Sequence, residues 1–149
     1  MITKILSELY ERDLNKLKDE LNAYSNESDL WETEGEITSS GGNLALHLIG
    51  NLRHFFGSVL GGTAYTRDRD QEFKDGGKSR EKILTDIDTT WAEVKETLAK
   101  LTGEDLAKNY PVEVFGHPMT TEFFIVHLAT HLNYHLGQIN YHRRLLALD

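Results

Sequence analysis

Apolar residues return every three to five positions in four stretches of this chain, and outside one connector no segment sustains the alternation a half-buried strand requires. That helical period limits the possible folds more than any other feature. In the first stretch Ile2, Ile5, Leu6, Leu9, Leu14, Leu17, Leu21 and Tyr24 recur with charged residues between them. The second, from about Asn43 to Leu60, places Leu44, Leu48, Leu52, Phe55 and Val59 on one face, after a polar segment closing in Ser39, Ser40, Gly41 and Gly42. The third follows Ser79, a suitable N-cap, with Ile83, Ile87, Trp91, Val94, Leu98 and Leu101 in a stripe and Gly103 placed to end it. The fourth starts near Thr120 or Thr121 and runs to about Leu148, with Phe124, Leu128, Leu132, Ile139 and Leu146 on one stripe.

Four amphipathic helices and no strand-rich half predict an all-α four-helix bundle, with residues 1–149 as a single domain. The connectors are roughly 15 to 20 residues long, beyond the two to eight usual in simple bundles, so at least one crossover is permitted. Between Gly61-Gly62 and Gly76-Gly77 lies TRDRDQEF, which reads as a charged loop in which Arg67 or Arg69 is a candidate to hold an anionic substrate group. The YPVEVFGHP connector suggests a short extended piece or hairpin. Gly50 and Gly57, seven apart on the second helix, predict a close approach by another helix or subunit.

Composition narrows the partners. The 149 residues carry a formal charge of -8, which argues against a broad nucleic-acid surface. No apolar run exceeds four residues, so none can cross a bilayer, and Met1 to Arg12 lack the apolar core of a signal peptide; a cytoplasmic protein is expected. With no cysteine, disulfides, thiolate metal sites and an internal thiol nucleophile are excluded, and a thiol at any site must arrive with a substrate or cosubstrate.

Histidine is the residue that points to chemistry. In the fourth helix His127, His131 and His135 advance about 40° at each step, and Gln138 and His142 return to the same sector, beside the apolar stripe. Buried imidazoles need partners, and a metal ion satisfies several jointly. The second helix offers His47 and His54 with Asn51 between them. If these two helices are antiparallel with His47 opposite position 133, two tiers follow. His47, His131 and His135 form one, and His54 with His127 the other, about 10 Å away.

Three imidazoles leave coordination positions open for a water, or for a thiol, as the reactive group. Zinc is the commonest fit to such a site, with nickel, iron and manganese also accepting imidazole. Gln138 and Asn51 are candidates to orient the outer ring nitrogens. His117 and His142 have no assigned role. The competing readings are a metal-binding or stress-associated protein without turnover, and a bundle whose histidines only pack.

The segments NLALHLIGNLRH and HLNYHLGQI, with His131, His135, Gly137, Gln138 and Ile139 in an H-x-x-x-H-x-G-Q-I ending, resemble the DinB/YfiT-like family of metal-binding four-helix bundles. The resemblance spans the whole chain in helix layout. It implies an up-down-down-up order and a divalent metal held by His47, His131 and His135. It further implies a small-molecule substrate, a homodimer, and in some members a transferase or isomerase using a low-molecular-weight thiol such as bacillithiol or mycothiol. The loop from Arg67 to Phe73 is similar to that of an uncharacterised subgroup.

Overall fold

The computed structural model describes residues 1–147. Helix α1 covers Ile2–Ala23. It buries Leu6, Tyr10, Leu14, Leu17 and Leu21, while Ile5, one position off that face, is exposed. Tyr10 sits among these apolar residues because its hydroxyl donates to the Ile125 carbonyl at 2.6 Å, which satisfies the phenol in the core. The following segment is less open than its polarity suggests. A 3₁₀ turn, Glu27–Trp31, buries Leu30 completely.

Helix α2 spans Gly41–Leu52, two residues earlier than the apolar pattern implies, because Ser40 takes the N-cap and accepts from the Asn43 amide. Gly41 is glycine for a packing reason: a Cβ there would collide with the Tyr24 hydroxyl. Past Leu52 the helix widens into a π-helical segment, Arg53–Leu60, and the chain then turns at Gly62, whose φ is +70°.

The charged stretch expected to be loop contains helix α3, Arg69–Lys74, capped by Asp68. Its last carbonyls are held from α2, where the Asn43 side-chain amide donates to Glu72 O at 2.9 Å and Asp75 O at 2.7 Å. Helix α4, Arg80–Lys100, starts on Ser79 as anticipated. It stops before Gly103, which instead begins helix α5, Gly103–Ala107, behind a capping box of Thr102 and Asp105. The anticipated hairpin reduces to one antiparallel bridge, Asn109 to Thr120. Helix α6 is Thr121–Leu146, capped by Thr120; Leu148, the expected end, lies outside the described residues.

Side-chain pairs set the directions. Tyr10 meets Ile125 and Tyr24 meets Ile139, so α1 and α6 are parallel. Lys18 meets Asp88 and Arg80 reaches the Asn22 carbonyl, so α1 and α4 are antiparallel. Arg53 meets Glu93 and Thr97 reaches the Phe56 carbonyl, so the α2–π rod and α4 run the same way. The four long helices form an up-down-down-up bundle, in which α2 faces α6 antiparallel and carries its histidines toward those of α6. Among the described residues no helix is long and apolar enough to cross a membrane.

Candidate metal centre

Nearly two turns into α2, His47 is buried and faces His131 and His135, which stand at i and i+4 on α6. The ring centroids form a near-equilateral triangle: His47 to His131 5.1 Å, His47 to His135 5.2 Å, and His131 to His135 4.6 Å. One nitrogen from each ring lies within 4.8 Å of the other two. His47 Nε2 and His131 Nε2 are 3.2 Å apart. Two imidazoles meeting through the same nitrogen can be reconciled by a proton on one of them or by a cation between them.

The outer nitrogens decide how the rings are held. His47 Nδ1 is 3.1 Å from Glu72 Oε1, and His135 Nδ1 is 2.7 Å from Gln138 Oε1. Each pair places the ring proton on Nδ1 and leaves Nε2 with its lone pair turned inward. Gln138 Nε2 donates to the Tyr134 hydroxyl at 3.3 Å, which keeps the amide oxygen toward His135. His131 Nδ1 is buried and has no hydrogen-bond partner, and the same holds for Asn51 Oδ1.

Glu72 is the principal site residue that the helical pattern does not disclose. It comes from α3, its side chain is 7% exposed, and Arg67 clamps it with Nε to Oε2 at 2.9 Å and Nη2 to Oε1 at 3.0 Å. Burial pushes its carboxyl pKa up, but hydrogen bonds from His47 and Arg67 and the charge of Arg67 outweigh this and hold it below the ordinary carboxylate value. Arg67 Nη2 also lies 3.3 Å from His47 Nδ1. Both donors converge on the same carboxylate, the stronger acceptor. Arg67 is therefore committed inside the protein and is not the substrate-facing cation its sequence context suggested. Gly50 makes room for this arrangement: a Cβ at that position would run into the Glu72 carboxylate. The close approach expected at Gly50 is thus made by a side chain of α3.

Two of the imidazoles, His131 and His135, are shifted toward the neutral form. Burial, reinforced by His135 and His47, pushes His131 down to about 4. Burial also lowers His135, against the opposing hydrogen bond from Gln138.

A model of the protein family of unknown function DUF1572 matches residues 4–149. The chain belongs to that family. Among curated proteins none matches it. Solved structures resemble this DUF1572 chain in fold. A DinB-like protein from Bacillus cereus has a TM-score of 0.73 at 19% identity over 95% of this chain and 91% of its own. A DinB-like protein from Bacillus subtilis has a TM-score of 0.70 at 15% identity over 95% and 92%. A conserved protein from Enterococcus faecalis has a TM-score of 0.73 at 16% identity over 100% and 99%. At these identities the likeness carries the fold, which is DinB-like, as the sequence resemblance implied.

The remaining histidines of the DUF1572 chain do not form a second tier. His54 stands edge-on to Phe55, with centroids 4.8 Å apart. His127 stacks on Phe124 at 5.9 Å and meets the edge of Phe115 at 4.9 Å. The expected pairing extended the register past Leu52, where regular α2 ends. Phe55 packs against Phe124 at 5.0 Å instead. His142 has a structural environment: its Nδ1 accepts from the Tyr24 hydroxyl at 2.6 Å and its Nε2 donates to Glu32 O at 2.8 Å. His117 is exposed, with Nδ1 3.1 Å from the Pro118 carbonyl.

Proposed function

We propose that this DUF1572 protein binds a divalent metal through His47, His131 and His135 and is a metal-dependent enzyme of thiol-transferase or hydrolase type. The observation that carries the reading is the convergence of three imidazoles whose inner nitrogens lie within 4.8 Å of one another. Two of the rings have their outer nitrogens fixed by Glu72 and Gln138. A three-His donor set suits zinc first, with nickel, iron and manganese also compatible.

When bound, the ion supplies Lewis acidity and lowers the pKa of a water or thiol placed against it. The protein's own share is orientation. Glu72 holds His47 and adds negative charge behind the ring, while Gln138 holds His135 from a neutral amide. No cysteine is present, so in the thiol-transferase reading the sulfur belongs to a low-molecular-weight cosubstrate.

Metal content of the purified protein, measured by inductively coupled plasma mass spectrometry, tests the binding step. The expected result is about one ion per chain in the wild type and a loss of most of it in His131→Ala. Transfer of a thiol to an electrophile, followed with and without chelator, tests the catalytic step. A protein that holds its metal and accelerates neither thiol transfer nor hydrolysis is a binder, and the enzyme reading then fails.

A further inference from the structure

A cavity of about 490 Å³ adjoins the triad, lined by His135 and Gln138 on α6 and by the loop that precedes α2. Phe73 connects the two places, since it lines the cavity and its ring lies 5.0 Å from that of His47. The walls are otherwise largely apolar: Ile37, Leu44, Tyr134, Tyr141 and Leu145. The volume falls within the range of small-molecule sites. The second sizeable hollow, about 450 Å³, lies at the far end of the α2–π rod around Leu60, Glu93 and Lys100, and no histidine lines it.

Among the described residues the one formally charged side chain in the cavity lining is acidic. Glu36 is in the lining, and no lysine or arginine is. An adjoining hollow of about 340 Å³ shares Ile37, His142 and Leu145 with it and adds Glu32 and Glu34. All three carboxylates are exposed on the approach. Arg69 and Arg144 lie over the wall rings of Phe73 and Tyr141 at 5.5 and 5.2 Å but do not themselves line the cavity. Arg67 is held by Glu72, and Arg143 by Glu20 at 2.7 Å. In the metal-free protein a carboxylate or phosphate entering here would lose water, meet no lysine or arginine among the lining residues and face three like charges on the approach.

We propose that this cavity receives a small organic substrate with an apolar body of aromatic size that is uncharged or cationic and bears no carboxylate or phosphate. The assignment rests on the metal-enzyme reading only in taking the triad as the reactive end. Aromatic walls suit a flat ring, and the acidic loop raises the local concentration of a cationic substituent. The same loop repels a carboxylate-bearing molecule at the mouth.

Calorimetric titration of the full chain with p-cresol, tyramine and 4-hydroxyphenylacetate tests this, in metal-loaded and metal-stripped protein, with metal content measured on the same samples. In the metal-stripped protein tyramine and p-cresol are expected to bind at least about tenfold tighter than 4-hydroxyphenylacetate, whose carboxylate gains a ligand only when the metal is loaded. The discrimination should shrink at high salt and in a Glu32→Gln, Glu34→Gln, Glu36→Gln variant. Leu145→Glu, at a position 52% exposed and therefore tolerant of the change, should weaken p-cresol by about tenfold or more. Equal or tighter binding of 4-hydroxyphenylacetate to the metal-stripped protein overturns the proposal, as does the absence of saturable p-cresol binding, or p-cresol binding that Leu145→Glu leaves unchanged. A protein that binds these probes in the expected order but takes up no metal loses the metal reading and keeps the cavity. One that takes up metal but fails the titration loses the cavity assignment alone.

Discussion

Removing the Glu72 carboxylate should damage both the fold and the site, by separable amounts. In Glu72→Ala the Arg67 guanidinium, with a side chain only 12% exposed, is left without its bidentate partner, and His47 loses the acceptor of its Nδ1 proton. Stripping one member from a buried pair costs about 3 to 5 kcal/mol, because the surviving charge remains desolvated. Glu72→Gln keeps the shape and one acceptor oxygen but not the charge, so its stability loss should be smaller. Losing the partner that orients a ligating histidine lowers metal affinity about 10- to 100-fold, equivalent to about 1.4 to 2.7 kcal/mol. Urea unfolding of the metal-free variants gives the first quantity and competition against a chromophoric chelator gives the second. In the double variant Glu72→Ala, Arg67→Met, stability should recover relative to Glu72→Ala, since no charge is stranded, while metal affinity stays low. Zinc affinity within twofold of wild type in Glu72→Ala, or a stability loss under about 1 kcal/mol, would refute the role given to this carboxylate.

Gly50→Ala should reproduce part of that phenotype without touching a polar group, because its methyl occupies the place of the Glu72 carboxylate; a destabilisation of about 1 to 3 kcal/mol with weakened metal binding is expected in the same two assays. Metal-free protein should lose stability as pH falls from about 6.5 toward 4. Over that window the unfolded chain protonates His131 at its ordinary pKa while the folded chain, with His131 at about 4 and His135 also lowered, does not; urea midpoints at pH 7 and pH 5 measure the difference, and an unchanged midpoint contradicts it. His54→Ala and His127→Ala should each retain metal stoichiometry, as neither ring joins the triad; a chain emptied by either substitution would show the assignment of ligands to be wrong.

The part of the site built on regular α-helix was open to reading from residue spacing. His131 and His135 share a face because four residues nearly complete a turn, whereas placing His47 opposite them took a supposed antiparallel register that spacing alone does not fix. The same arithmetic misplaced His54, since it carries no information about where a helix widens, and nothing in RHFFGSVL marks a π-helical segment. Glu72 escaped for a different reason. It lies 25 residues from His47, in a stretch whose charge density resembles a solvated loop, and its burial depends on Arg67 neutralising it and on Asn43 tying down the end of α3. Its trace in the sequence was Gly50, which signals a close approach without naming what approaches. Tyr10 was similarly hidden, because a phenol enters a core only when a distant carbonyl such as that of Ile125 is there to receive it.

The most direct measurement of the central claim is the anomalous scattering from crystals of the zinc-loaded protein. One strong peak per chain is expected, about 2.0 to 2.1 Å from Nε2 of each of His47, His131 and His135. A peak bound instead by His54 or His127, or zinc-loaded crystals with no peak between α2 and α6, would contradict the claim.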